Sequence, residues 1–208
     1  MNAIDSTTCS CRRYVLIMVV CYAVWIVLYF TTAWIGELRG PAFHPALPVD
    51  ESFPLIPEFF FCYVLAYVIV LGVFIIRRTP AFLNFAYVSF IAMNLTAFTL
   101  FVLFPAQGPE RVIAEEGSHI LAALHGIDSR YNAFPSLHVA NPWLIALLAL
   151  HERRMSLISL LFISLALLIS VSTLFIHQHY LLDVLGGIAL AVLVMSITVR
   201  LPISEKHW

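Results

Sequence analysis

Charged side chains are scarce in this chain. They make up only 11% of its 208 residues, and Lys206 is the single lysine. An average soluble domain is about one quarter charged, so this chain has too few charges to cover a globule in water. Hydrophobic residues make up 62%, the mean hydropathy is +0.94, and the formal charge of -1 gives no basic footprint for a nucleic acid. The composition therefore excludes a soluble enzyme, a disordered chain and a nucleic-acid-binding protein, and it indicates a lipid bilayer as the solvent.

Cysteine is also scarce. The four cysteines lie in the N-terminal tail (Cys9 and Cys11) and in apolar runs (Cys21 and Cys62). This spacing is typical neither of a disulfide framework nor of a zinc motif. We interpret them as ordinary tail or buried residues.

Long apolar runs are abundant. A helix needs roughly 20 apolar residues to cross the hydrocarbon core. The first run follows two arginines, as a signal peptide would, but it exceeds the ~7–15 apolar residues of a signal core and no clear cleavage site follows. The predicted spans are 14–35, 58–76, 81–104, 137–150, 155–176 and 180–201. We therefore predict an all-α fold: an integral membrane bundle of six transmembrane helices, in a single membrane domain over residues 1–208.

The basic residues favour one orientation, because Lys and Arg collect in cytoplasmic loops. With the N-terminus inside, eight basic residues fall on the inner side and three on the outer side. The inner set is Arg12, Arg13, Arg77, Arg78, Arg153, Arg154, Arg200 and Lys206, and the outer set is Arg39, Arg111 and Arg130. We predict that both termini are cytoplasmic, that the loops near 36–57, 105–136 and 177–179 face outward, and that the membrane is the plasma (inner) membrane.

The two long outer loops differ in character. The first contains five prolines between residues 41 and 57, so it cannot be one helix, and we interpret it as a cap over the outer surface. The second contains a segment, 112–124, that favours a short helix at the membrane interface. Loops of this length are often functional.

Three ionisable residues stand at the starts of two predicted spans. His138 begins the fourth span, and His179 and Asp183 begin the sixth. The topology brings both starts to the outer face, where ionisable groups at a membrane edge are functional candidates by default. His179 and Asp183 are four residues apart, which on a helix places them in contact range. A carboxylate beside an imidazole is the arrangement that an activated histidine nucleophile needs.

The sequence around His138 indicates a helix start. Ser136 is a candidate N-cap, and the free N–H groups of such an end favour an anion. A histidine one turn into that helix could donate a proton to a leaving oxygen. Together, these residues suggest a phosphate bound at a helix N-terminus, with one histidine as nucleophile and the other as acid.

Two sequence blocks carry a family resemblance. They are Ala133-Phe134-Pro135-Ser136-Leu137-His138 and Ser172-Thr173…His179-Tyr180…Asp183, with a weaker third block over residues 104–111. In this order and separation they resemble the type 2 phosphatidic acid phosphatase superfamily, also called lipid phosphate phosphatases. The resemblance is closest to the branch that includes inositol phosphorylceramide synthases. It covers about residues 100–190, the expected catalytic core.

The resemblance implies a mechanism and a substrate class. His179 would attack phosphorus and form a phosphohistidine, Asp183 would orient His179, and His138 would protonate the leaving group. Ser136 and Ser172 would hold phosphate oxygens. The substrate would be a phosphorylated membrane lipid, and neither a metal nor a cofactor is implied.

The sequence also departs from the general pattern of that superfamily. The usual motif of a lysine, six residues and Arg-Pro is absent, Leu137 stands where glycine is usual, and Thr173 stands where arginine is usual. Phosphoryl transfer depends on electrostatic stabilisation, so other cations must act. We predict Arg111 first and Arg130 second. The alternative for Arg111 is a loop salt bridge with Glu110 or Glu115.

Several functions stay open at this point. A lipid phosphatase would use water as the acceptor, whereas a lipid phosphotransferase would pass a phospho-head group to a lipid hydroxyl with the same residues. A bundle with several histidines could also be a non-enzymatic transporter, a haem-binding bundle or an assembly factor. A His/His/Asp metal site is a further alternative.

Overall fold

Helices account for the regular structure of residues 3–110 and 119–202, which are the residues that the computed structural model describes. The α-helices are α1 (Ala3–Arg39), α2 (Phe60–Tyr63), α3 (Leu65–Val68), α4 (Val73–Ile76), α5 (Pro80–Leu103), α6 (His119–Ile127), α7 (Leu137–Arg153), α8 (Leu157–Phe175) and α9 (Leu181–Thr198). Short 3-10 helices cover Pro48–Ser52, Pro57–Phe59 and Ile69–Gly72. The predicted all-α fold is confirmed.

Five helical segments are long and apolar enough to cross a membrane. They are Arg12–Arg39, Pro57–Ile76, Pro80–Leu103, Leu157–Phe175 and Leu181–Thr198. The remaining predicted span, the fourth, is α7, which has 17 residues and packs at the centre of the bundle against α8, α9 and α5. Its core side chains Leu144, Ile145 and Leu148 are fully buried. The chain is therefore a multi-pass membrane protein with α7 enclosed by the other helices.

The second span is broken, although the sequence predicts one helix over 58–76. We call Pro57–Ile76 the broken segment, because a 3-10 turn at Ile69–Gly72 separates α3 from α4. At Gly72 a Cβ atom would lie 2.6 Å from the Phe162 ring of α8, so the backbone approaches that ring closely. A 3-10 stretch inside a helix is typical of strain or of a functional hinge.

Buried and half-buried hydrogen bonds fix α1 against α5. The Tyr14 hydroxyl donates to Asn84 Oδ1 at 2.9 Å, and Trp25 Nε1 donates to Asn94 Oδ1 at 2.9 Å. Apolar packing in lipid has little directional preference, and such side-chain bonds are what select one helix pairing. The register of α1 therefore depends on these two polar contacts.

The proline-rich loop covers the end of the bundle where α7 and α9 begin. The Ile56 N–H donates to the Phe175 carbonyl at 2.8 Å, and the Leu181 N–H donates to Asp50 Oδ1 at 2.8 Å. Asp50 thus caps α9, which is favourable at a helix N-terminus. The loop is irregular, as its prolines predict. The helix predicted over 112–124 is α6, while residues 111–118 lie outside the described residues.

Two glycines let α9 approach the start of α7. A Cβ at Gly187 would lie 2.5 Å from the Ser136 carbonyl oxygen and 3.1 Å from Val139 Cβ. A Cβ at Gly186 would lie 2.4 Å from the Phe134 ring. Only the absence of a side chain permits this contact, which brings the two helix starts together.

We predict that Gly187→Ala lowers the thermal unfolding midpoint in detergent by roughly 5 °C, because the added methyl group meets backbone rather than a flexible side chain. Gly126→Ala is the matched control, since a Cβ there meets nothing within 4 Å. Differential scanning fluorimetry on both variants checks this. Equal midpoints for the two variants would contradict the close contact.

Candidate active site

His179 is held by the turn that ends α8. His177 adopts a φ of 51° in the left-handed region, and the N–H groups of Gln178 and His179 donate to the Thr173 carbonyl at 2.9 and 3.2 Å. Positive φ just after a helix is a common way to satisfy its last carbonyls. His177 points away and bonds the Phe53 carbonyl at 3.0 Å. The turn therefore delivers His179, and not His177, to the start of α9.

Asp183 lies directly behind His179. Its Oδ2 is 3.4 Å from His179 Nδ1, and it accepts the Tyr180 N–H at 2.9 Å. Asp183 is fully buried and His179 is 7% exposed. Because a carboxylate can only accept, His179 holds its proton on Nδ1 and presents the Nε2 lone pair away from Asp183.

His138 meets that lone pair from α7. Its Nδ1 lies 3.3 Å from His179 Nε2, although 41 residues separate the two histidines. The Ser136 N–H donates to the Asp183 carbonyl at 3.1 Å, which ties the two helix starts together. The structure thus brings together His138, His179 and Asp183, and the roles assigned to them stay predictions.

Two tyrosines of the broken segment hold the other side of His138. Its Nε2 lies 2.8 Å from the Tyr63 hydroxyl and 3.0 Å from the Tyr67 hydroxyl. Neither residue was predicted from the sequence. The only available signal is their i,i+4 spacing, which places two hydroxyls on one face of a mostly apolar segment.

Asp128, in the turn after α6, was also missed. Its carboxylate accepts hydrogen bonds from the hydroxyls of Tyr29 and Tyr63 and from the side-chain amide of Gln178. Burial raises the pKa of Asp128 to about 6, and the positive charge that His179 can carry opposes this rise. The Tyr63 hydroxyl therefore contacts both the Asp128 carboxylate and Nε2 of His138.

The predicted phosphate-binding serines differ in their surroundings. Ser136 is the N-cap residue of α7 and fully buried, and its hydroxyl has no hydrogen-bond partner within residues 3–110 and 119–202. A hydroxyl beside free helical N–H groups suits an anion. The Ser172 hydroxyl instead donates to the Ile169 carbonyl at 2.7 Å, so its hydrogen is used inside α8. Phosphate binding by either serine stays a prediction.

Arg111 and Arg130 are the two arginines predicted to stabilise the phosphoryl charge. Arg111 lies outside the described residues. Arg130 bonds the Gly108 carbonyl at 3.4 Å. Burial raises the pKa of Tyr180, and the charge of Arg130 opposes that rise. Arg130 is therefore within electrostatic range of the residue that follows His179.

The arrangement could supply a nucleophile and an acid to one reaction path. His138 Nδ1 and His179 Nε2 are in direct contact at 3.3 Å, so a phosphoryl group would enter between the two imidazoles by separating these nitrogen atoms. Among the described residues, no group of three or more His, Cys, Asp or Glu side chains is arranged to hold a metal ion.

Comparison with known families agrees with the fold. The family model of the PAP2 superfamily matches residues 58–197, more than half of the chain. The chain therefore belongs to the PAP2 superfamily, whose members are generally phosphatases and phosphotransferases. The match begins upstream of the motifs and includes the broken segment and α5. Searches of curated proteins and of solved structures found no match.

We predict that Asp128→Asn changes the pH dependence of stability. Because folding raises the pKa of Asp128 from 3.8 to about 6, folded stability falls as pH rises through that interval. The variant lacks this penalty, so its unfolding midpoint relative to wild type should be roughly 2–4 °C higher at pH 7.5 than at pH 4.5. Thermal unfolding at both pH values checks this, and a difference independent of pH would contradict it.

Proposed function

We propose that this protein is a lipid phosphate phosphatase that works through a phosphohistidine on His179. The observation that supports this most strongly is the position of His179, with Asp183 Oδ2 3.4 Å behind its Nδ1 and His138 Nδ1 3.3 Å in front of its Nε2. Membership of the PAP2 superfamily supports the reaction class.

The first step breaks the bond between phosphorus and the leaving oxygen. The Nε2 lone pair of His179 forms the new bond to phosphorus, and Asp183 stabilises the positive charge that develops on the ring. The leaving oxygen takes the bonding electron pair and a proton from His138 Nδ1. The products of this step are a lipid alcohol and a phosphohistidine.

The second step releases phosphate. His138, now neutral, accepts a proton from a water molecule through Nδ1, and the water oxygen attacks phosphorus. The P–N bond breaks, and its electron pair returns to His179 Nε2. The site then regains its starting proton arrangement, with inorganic phosphate as the product.

The negative charge of the phosphoryl group needs hydrogen-bond donors and cations to stabilise it. We propose that the Ser136 hydroxyl and the N-terminus of α7 hold two of the oxygens, with Ser172 as a further contact. The electrostatic effect of Arg130 on Tyr180 supports Arg130 as one cation, and we propose Arg111 as the other.

A cavity supports a lipid as the substrate. It has a volume of about 310 Å³ between α1, the broken segment and α5, and its lining includes Trp25, Val70, Phe90 and His138. Most of its lining is aliphatic or aromatic, which suits a hydrocarbon chain. A substrate tail in this cavity would anchor its head group near the two histidines.

The same cavity favours a second candidate function. It reaches Leu137 and His138, the histidine that activates the acceptor. A lipid alcohol entering through the cavity could replace water in the second step. The protein would then be a lipid phosphotransferase that passes a phospho-head group to that alcohol.

The distribution of arginines supports a site on the extracytoplasmic side. Tyr14 contacts Pro80, Arg153 contacts the Ile76 carbonyl and Ser89 contacts Thr198, so these residues mark the opposite end of the bundle from His179. The described arginines at or beside that end are Arg12, Arg13, Arg77, Arg78, Arg153, Arg154 and Arg200. Since basic residues collect on the cytoplasmic side, we propose cytoplasmic termini. A plasma (inner) membrane location is a separate proposal, because the arginines determine orientation and not the membrane.

We predict that His179→Ala lowers phosphate release by more than about 10³-fold, because it removes the nucleophile. The assay uses detergent-purified protein, a panel of phosphatidic acid and polyprenyl phosphates, and EDTA. His177→Asn is the matched control, since this side chain bonds the Phe53 carbonyl and asparagine tolerates positive φ.

Full activity of a folded His179→Ala protein would contradict the phosphatase proposal. No release from folded wild-type protein would also contradict it and would favour the transferase. The transferase function is tested by adding a lipid alcohol and a phosphodiester head-group donor and looking for a new lipid by mass spectrometry.

We predict that Asp183→Asn reduces turnover by about 10²–10⁴-fold with little change in KM, because an amide no longer stabilises the charged imidazole. Asparagine can still accept the Tyr180 N–H, so the unfolding midpoint should stay close to wild type. Steady-state kinetics and a thermal scan check this. A variant with unchanged kcat would exclude an orienting role for Asp183.

A further inference from the structure

Asp128 belongs to no part of the reaction described so far, yet it is connected to it. Its Oδ2 lies 3.2 Å from the Tyr63 hydroxyl, which in turn lies 2.8 Å from His138 Nε2. We propose that Asp128 is a positioning residue that acts through Tyr63 to keep His138 protonated for its role as general acid. This inference rests on the proposed function, in which His138 supplies the proton.

The direction of the hydrogen bonds follows from the donors available. An ionised carboxylate can only accept, so Tyr63 uses its single hydroxyl hydrogen toward Asp128. The Tyr63 oxygen then accepts from His138 Nε2–H. The Tyr63 hydroxyl thus links the Asp128 carboxylate to Nε2 of His138, and Nδ1 of His138 faces His179.

The contact between the two histidines is satisfied by a proton on His138 Nδ1. His179 keeps its proton toward Asp183 and presents a lone pair at Nε2. If His138 were neutral with its proton on Nε2, two lone pairs would face each other across 3.3 Å. A proton on His138 Nδ1 removes this repulsion and is the proton that the leaving oxygen needs. A positive charge on the buried His138 ring needs a compensating negative charge, and Asp128 supplies one.

Other groups also face His138. They are the Tyr67 hydroxyl, 3.0 Å from Nε2, and the His179 ring. Tyr67 is neutral, and a charge on His179 would oppose a charge on His138. The His179 ring is bonded to Asp183, and the Tyr67 hydroxyl lies 3.4 Å from the Tyr63 hydroxyl. Within the described part of the chain, Tyr63 is the neighbour of His138 whose hydroxyl bonds Asp128.

Asp128 itself is faced by three further groups. Tyr29 and Gln178 donate to its carboxylate, and the imidazole of His179 acts on it electrostatically. Both donors stabilise the ionised form, whereas neither touches His138 in the hydrogen bonds described. Each histidine is therefore linked by hydrogen bonds to a different carboxylate. Asp183 bonds His179 directly, and Asp128 is linked to His138 through the Tyr63 hydroxyl.

The test compares pH profiles of kcat/KM for the wild-type protein and the variants Asp128→Asn and Tyr63→Phe. The basic limb of the profile reports proton loss from the general acid. Either variant breaks the link, so the limb should move to lower pH by about 0.5–1 unit. The double variant should move it no further than the single variants do. Tyr29→Phe is the matched control, because it removes a donor to the same carboxylate but keeps the path through Tyr63, so it should move the limb less than either of those variants does.

A lower rate at every pH with an unmoved basic limb would overturn the inference, since a merely structural role predicts that result. A double variant that shifts the limb by the sum of the single shifts would overturn the shared path. If Asp128→Asn does not fold, Tyr63→Phe gives the same readout, because it removes only one oxygen atom.

A second readout separates this inference from the proposed function. Nitrogen-15 NMR of the histidine rings, with His138 assigned through His138→Gln, follows its protonation without turnover. If the wild-type protein shows neither phosphatase nor transferase activity, the proposed function fails. Earlier proton loss from His138 in Asp128→Asn than in wild type would still support the link, and identical titrations would overturn it.

Discussion

The contact between the first turns of α7 and α9 is the constraint on which the site depends. The Ser136 N–H bonds the Asp183 carbonyl, and Gly187 allows the α9 backbone to lie against the Ser136 carbonyl. This contact joins the helix that carries His138 to the helix that follows His179. Because α7 is enclosed by its neighbours, the two imidazoles are held in direct contact, with 3.3 Å between His138 Nδ1 and His179 Nε2. Under the proposed function, a phosphoryl group enters by separating the two rings while the joined helix starts keep their positions.

Electrostatics sets the second constraint. A chain with a single lysine has few cations to offer a phosphate, and carboxylates surround the site: Asp50 caps α9, and Asp128 and Asp183 lie behind the two histidines. Within the described core, the basic groups that Asp183 and Asp128 contact directly or through one hydroxyl are the imidazoles of His179 and His138. Under the proposed function, the protonated rings would stabilise part of the phosphoryl charge that lysine and arginine stabilise elsewhere in the superfamily. Arg130 would supply a further positive charge at the edge of the site.

Much of the fold could be predicted from the sequence. The spans predicted at 81–104 and 180–201 differ from Pro80–Leu103 and Leu181–Thr198 by at most three residues at any end. This accuracy has a physical cause, since a run of about twenty apolar residues in lipid can satisfy its backbone only as a helix. The His179–Asp183 contact was also predicted, but for a different reason: the prediction placed both residues on one helix, whereas His179 lies in the turn before α9 and Asp183 in the first turn of α9. The break at Ile69–Gly72 could not be predicted, because it depends on how Gly72 meets the Phe162 ring of another helix.

The residues around His138 lay beyond sequence reasoning for the same reason. Tyr63 and Asp128 come from separate segments, and only tertiary packing shows that they share a hydrogen bond. The central claim is that His179 becomes phosphorylated during turnover. The most direct measurement is to mix the protein with a lipid bearing a labelled phosphate, quench with alkali and map the label by mass spectrometry. The account predicts an acid-labile, base-stable phosphate on the peptide containing His179. Turnover of the substrate with no label on that peptide, under quench conditions that preserve a phosphohistidine standard, would contradict it.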